Sequence, residues 1–138
     1  MSGAHTLTIH ADLNEIPPVS AFVEGAMRTG GFSDNAILDM QLAVEEAVAN
    51  TILHGYCGAM GEVTIAIQAS HNTVRVRIED HAPPFDPLSL PKPERKSDLS
   101  ERRIGGLGIY LMRTVVDEVR YQYVDGKNVL TLVKKKSG

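Results

Sequence analysis

A single long helix, predicted from a cap at Ser33 or Asp34 to about His54, with Gly55 as its stop, constrains this chain more than any other feature. Ile37, Leu38, Met40, Leu42, Val44, Val48, Ile52 and Leu53 stand around most of its circumference, broken by Gln41 and Glu45. Such a helix should be buried on more than one side. At about 100° per residue, Asp39, Glu46, Asn50 and His54 fall within an arc of roughly 80°, which makes one polar stripe. A stripe of that kind either faces water, the ordinary case for an amphipathic helix, or lines a site.

The rest of the chain supplies strands and a second helical layer. Leu7 and Ile9 alternate with Thr6, Thr8 and His10 in a short strand that ends before Pro17-Pro18, a pair that reads as a turn. Phe22, Val23 and Met27 recur at helical spacing from about Val19 to Arg28, and Gly30-Gly31 closes that segment. Apolar alternation at Val63–Ile67 and Val74–Ile78, with His71-Asn72 between, predicts a hairpin with one apolar face. From Asp80 to about Arg103 prolines and mixed charges replace any period. A loop of roughly twenty residues in a compact domain is a functional lid or a disordered segment. Ile104-Gly105-Gly106-Leu107-Gly108 then opens a helix with Ile109, Leu111, Met112, Val115 and Val116, and Asp125-Gly126 joins two closing strands. The order β-α-α-β-β-loop-α-β-β predicts an α+β fold: a two-layer sandwich of a mostly antiparallel, mixed sheet with helices on one face.

Composition narrows the function classes. With 14 Lys and Arg against 17 Asp and Glu the net charge is −3, so no global field argues for nucleic acid or an anionic membrane surface. Lys134-Lys135-Lys136 is the one basic run and reads as a solubilising terminus. The one cysteine, Cys57, cannot close an internal disulfide, and no apolar run approaches the ~20 residues that span a bilayer. A cytoplasmic protein made of one domain is expected.

Two features could carry chemistry. Glycines at 105, 106 and 108 before a helix would let backbone N–H groups approach an anion such as a phosphate, although a flexible hinge has the same composition. Asp80 ends a strand in phase with Val74, Val76 and Ile78, so its carboxylate should point to the covered face, where it needs partners; otherwise it simply opens a turn. The histidines and the cysteine show no metal-ligand spacing.

Taken in order, Glu46-x-x-x-Asn50 on a helix, Asp80 at a strand end, a long loop, and Gly105-Gly106-x-Gly108 opening a helix resemble the GHKL ATPase superfamily with the Bergerat nucleotide-binding fold. Glu46-Ala47-Val48-Ala49-Asn50 with His54-Gly55-Tyr56, then Pro84-Phe85-Asp86-Pro87 and Gly106-Leu107-Gly108-Ile109, look like the bacterial anti-sigma factor serine kinases. The resemblance implies that Asn50 holds Mg²⁺ on the phosphates of ATP and that Glu46 is the general base. It implies that Asp80 accepts the adenine amino group and that the backbone of Gly105, Gly106, Leu107 and Gly108 wraps the phosphates. Two positions depart from the family pattern. Ala82 stands where Asp-x-Gly usually has its glycine, and Gly126-Lys127-Asn128 replaces the usual Gly-Thr, which leaves Thr131 as the adenine-pocket candidate.

The resemblance therefore implies a kinase with ATP and Mg²⁺ as cofactors and a lid over about 83–103. Its partners would be a sigma factor and a small anti-sigma antagonist protein, with the kinase a homodimer that contacts neither nucleic acid nor membrane directly. The competing expectation is a nucleotide-gated binding module that does not transfer phosphate; a detached histidine-kinase domain fits the motifs less well.

Overall fold

The computed structural model describes residues 3–89 and 106–136. The expected lid at 83–103 falls largely outside them, as does Gly105. Five strands form one sheet: β1 (Gly3–His10), β2 (Glu62–Ala69), β3 (Thr73–Asp80), β4 (Glu118–Val124) and β5 (Lys127–Lys135). Their order is β1-β2-β3-β5-β4. All four pairings are antiparallel, so the sheet is not mixed. Among the described residues three helices lie against it: α1 (Ile16–Thr29), α2 (Asp34–Asn50) and α3 (Gly106–Val115). This is the two-layer α+β arrangement expected from the sequence.

Alternation along the strands selects the covered face. Ile65 pairs with Ile78, Ile67 with Val76, and these in turn with Leu130 and Leu132, so one face is apolar from β2 to β5. Helix α2 sits between α1 and α3, with Met40, Val44 and Val48 fully buried. Its two polar interruptions have an account: the Gln41 amide donates to Ser20 O on α1 at 3.0 Å, and Ser20 Oγ donates to Glu45. Leu38 and Leu53 were expected inside but are 62 % and 50 % exposed, because α1 and α3 flank α2 without enclosing it.

Three local expectations are corrected. Pro17 and Pro18 do not form a turn; they occupy the first turn of α1, where a missing N–H costs nothing and the fixed φ suits the helix. The long helix does not run regularly to His54. Ser33 caps it through Ala36 N, it ends at Asn50, and Thr51–Gly55 form a wider π-helical turn closed by Tyr56 N donating to Thr51 O at 2.8 Å. The lysine run is not a free tail: Lys134 Nζ donates to Val115 O at the end of α3 and lies 3.2 Å from Asp39 on α2, while Lys136 Nζ donates to Gly30 O. A cation at the C-terminal carbonyls of a helix is favoured by the local dipole.

Packing predicts the cost of disturbing α2. Met40→Ala should destabilise the fold by about 2–5 kcal/mol, and Ser33→Ala by about 0.5–2 kcal/mol through the lost cap. Urea unfolding midpoints measured on both variants check the order and size of these losses.

Candidate active site

Asp80 reaches the covered face as its strand phase requires and is 5 % exposed. A buried carboxylate needs donors, and three chain segments provide them. Asn128 Nδ2 at the start of β5 donates to Oδ1 at 2.9 Å, and Ala82 N donates to the same oxygen at 3.0 Å. Thr51 Oγ1, in the π-helical turn, donates to Oδ2 at 3.3 Å. A carboxylate offers about four acceptor sites, so Oδ2 keeps capacity for one further donor.

Asp80 borders a cleft that is also lined by Ala47, Asn50, Thr51 and Gly55 from the end of α2 and its turn, Ile78 from β3, Phe85 and Pro87 from the following loop, Ile109 from α3, and Tyr121, Asn128 and Leu130 from the last two strands. The space among these residues is ≈ 380 Å³, part of it open to solvent. It is a mostly apolar cleft with a few convergent polar groups, the usual make-up of a small-molecule site.

Asn50 supplies a second marker. It is 7 % exposed, and its Oδ1 is buried with no hydrogen-bond partner among the described residues. An orphaned buried carbonyl oxygen costs about 1–3 kcal/mol, which a ligand or hard cation would recover. The four-residue stripe is thus divided by the fold. Asn50 lines the cleft, Asp39 is taken by Lys134, and His54 is half-buried outside the cleft lining.

Glu46 lies one turn before Asn50 and packs against the first turns of α3. A methyl group built on Gly108 would stand 3.2 Å from the Glu46 carboxyl carbon and collide with its Oε1. A Cβ at position 108 would require the Glu46 carboxylate to move, and the positive end of the α3 dipole favours the carboxylate there. Gly106, Leu107 and Gly108 all lie in that first turn of α3.

The remaining sequence candidates separate. Ala82 is buried under the turn after β3, and its backbone N–H, rather than an open approach to the cleft, is what it contributes. Thr131 is not a pocket residue. It pairs with Arg77 and Arg120 and so lies on the opposite face of the sheet from Asp80, Leu130 and Asn128. Asn128, on the inward phase opposite Asp80, lines the cleft instead. Sequence reading passed over Asn128, although it stands two residues before Leu130 on the inward phase. Tyr121 was missed too. It donates to Asn128 Oδ1, and burial, opposed by the N–H of Phe85, pushes its phenol above the ordinary value, so it remains a neutral donor at physiological pH.

Residues 9–134 match the histidine kinase-like ATPase domain family, and the chain belongs to it. A crystal structure of the RsbU and RsbW domains of a Mycobacterium tuberculosis protein has the same fold, with a TM-score of 0.66 at 20% identity, covering 99% of this chain and 33% of that longer one. Serine-protein kinase RsbW of Listeria innocua is 34% identical over 114 residues, which span 78% of this chain and 72% of the relative. The Bacillus thuringiensis serine-protein kinase RsbW is 27% identical over 128 residues, 90% of this chain and 80% of the relative. The protein is a member of the RsbW family of serine-protein kinases.

The Glu46–Gly108 contact yields a prediction. Gly108→Ala should destabilise the protein by about 1–3 kcal/mol by overpacking, and most of that loss should vanish in the Glu46→Ala background. A double-mutant cycle by thermal or urea unfolding measures the coupling.

Proposed function

We propose that this protein uses ATP and Mg²⁺ to phosphorylate a serine on a small anti-sigma antagonist protein, and that it binds a sigma factor as a homodimer. The kinase class follows from the family; the substrate, partners, metal and residue roles are inferred. The observation that carries the chemical reading is the unpartnered Asn50 Oδ1, buried in the same cleft as the acceptor face of Asp80.

Asn50 Oδ1 fits a Mg²⁺ ion, which binds through few protein groups and otherwise through water and phosphate oxygens. No cluster of three or more His, Cys, Asp or Glu side chains suited to a metal occurs among the described residues, in keeping with a metal held chiefly by nucleotide. Bound MgATP supplies the transferable phosphoryl group and the charge neutralisation for its movement. Asp80 Oδ2, an acceptor, would take the amino group of adenine and disfavour the carbonyl of guanine. Glu46, against the first turns of α3, would accept the proton of the attacking serine hydroxyl, and the N–H groups of that turn would orient phosphate oxygens. Among the described residues no helix is long and apolar enough to cross a membrane.

These roles give separable outcomes. Glu46→Ala should reduce phosphate transfer by roughly 10²–10⁴-fold and leave ATP affinity nearly unchanged, because a general base acts on the incoming hydroxyl. Asn50→Ala should lose the Mg²⁺ dependence of ATP binding, and Asp80→Asn should weaken ATP binding by about 1–3 kcal/mol. Calorimetry with and without Mg²⁺, and labelled phosphate transfer to the antagonist protein, measure all three. Wild-type transfer rates in Glu46→Ala would remove Glu46 from the chemistry, and ATP binding without any transfer by the wild type would leave a nucleotide-gated binding module.

A further inference from the structure

Asn128 is 6 % exposed, and every polar atom of its carboxamide is engaged. On one side Nδ2 meets three acceptors: Asp80 Oδ1 at 2.9 Å, Ala82 O at 3.0 Å and Pro83 O at 3.1 Å. On the other, Oδ1 meets two donors, Phe85 N at 3.1 Å and the Tyr121 hydroxyl. The neighbours agree on one orientation of the amide, since a flipped group would set its NH₂ against the Phe85 N–H and its oxygen against three acceptors.

We propose that Asn128 is the positioning residue that sets base specificity at this site, an inference that rests on the ATP-binding reading above. Its NH₂, with Ala82 N, saturates Asp80 Oδ1. The carboxylate is then fixed in rotation, and only Oδ2 is offered to the cleft, where Thr51 is its one partner among the described residues. The same amide ties the backbone of Ala82, Pro83 and Phe85 to β5, so the wall of the cleft that carries Phe85 is held at a set distance from Asp80. Two sequence departures become one device. The buried Ala82 methyl faces the Cα of Gly55, where an added Cβ would lie 3.4 Å away, and the turn that this alanine shapes is closed by Asn128. A serine or threonine hydroxyl at 128 has one donor and cannot reach both sides of this junction.

The test compares ATP with inosine triphosphate, which carries a carbonyl where adenine has its amino group, on wild type, Asn128→Ala and Tyr121→Phe by calorimetry. The wild type should prefer ATP by about tenfold or more. In Asn128→Ala that preference should fall to within about threefold, chiefly through weaker ATP binding, because Asp80 Oδ1 keeps only Ala82 N, the carboxylate is less firmly fixed in rotation, and the turn that carries Ala82 and Pro83 loses its tie to β5. Tyr121→Phe leaves the Asn128–Asp80 bond in place and should retain most of the preference; it also keeps the test open if Asn128→Ala does not fold, since loss of the preference in Tyr121→Phe would overturn the division of roles. An unchanged ATP preference in Asn128→Ala, or an equal loss for both nucleotides, would show a merely structural asparagine and overturn the proposal. A wild type that binds neither nucleotide would instead remove the ATP reading on which it rests.

Discussion

The buried carboxylate of Asp80 is the constraint around which the site is arranged. An ionised group taken from water without partners is too costly for a domain whose whole stability is of the order of 5–15 kcal/mol. The chain meets that cost with donors from three places far apart in sequence: Thr51 after α2, Ala82 in the turn beyond β3, and Asn128 at the start of β5. Once these three converge, the end of the helix, the turn and the last strand have fixed relative positions, and the cleft is what lies between them. The same convergence leaves one carboxylate oxygen with spare acceptor capacity, so the group that organises the fold locally is also the group available to a ligand.

Much of this was legible because it rests on local periodicity. The alternation in β2 and β3 named their apolar face, Asp125-Gly126 marked a hairpin whose two residues have φ of 54° and 77°, and the strand phase aimed Asp80 inward. What the sequence hid depends on long-range partners. Pro17 and Pro18 are equally at home in a turn or a first helical turn, and only the helix that follows decides between them. The lysine run near the C-terminus looked solvated because nothing nearby in sequence predicts that Asp39, Gly30 and Val115 will lie beside it.

Thr131 and Asn128 show the same limit within the site. The family's Gly-Thr pattern left Thr131 as the pocket candidate, but a strand shows alternate residues to opposite faces, and Leu130 and Leu132 belong to the core side. Counting back from Leu130 by two gives Asn128. The phase that placed Asp80 was enough to place its partner, had the register between β3 and β5 been known: Asp80 pairs with Asn128 and Ile78 with Leu130.

Glu46 and Asn50 share one element, and its packing shapes how the site can respond to a ligand. With Met40, Val44 and Val48 fully buried and α1 and α3 on either side, α2 cannot shift by even a methylene without disturbing a close-packed core. The two side chains on α2 are therefore fixed references. The cleft's other walls are held differently: the Ala82–Phe85 turn by hydrogen bonds to Asn128, and the first turn of α3 by a glycine that lets it close onto Glu46. Hydrogen bonds and a glycine contact are lighter restraints than a filled core, so adjustment to a ligand falls to the turn and to the start of α3, while Glu46 and Asn50 stay where α2 holds them.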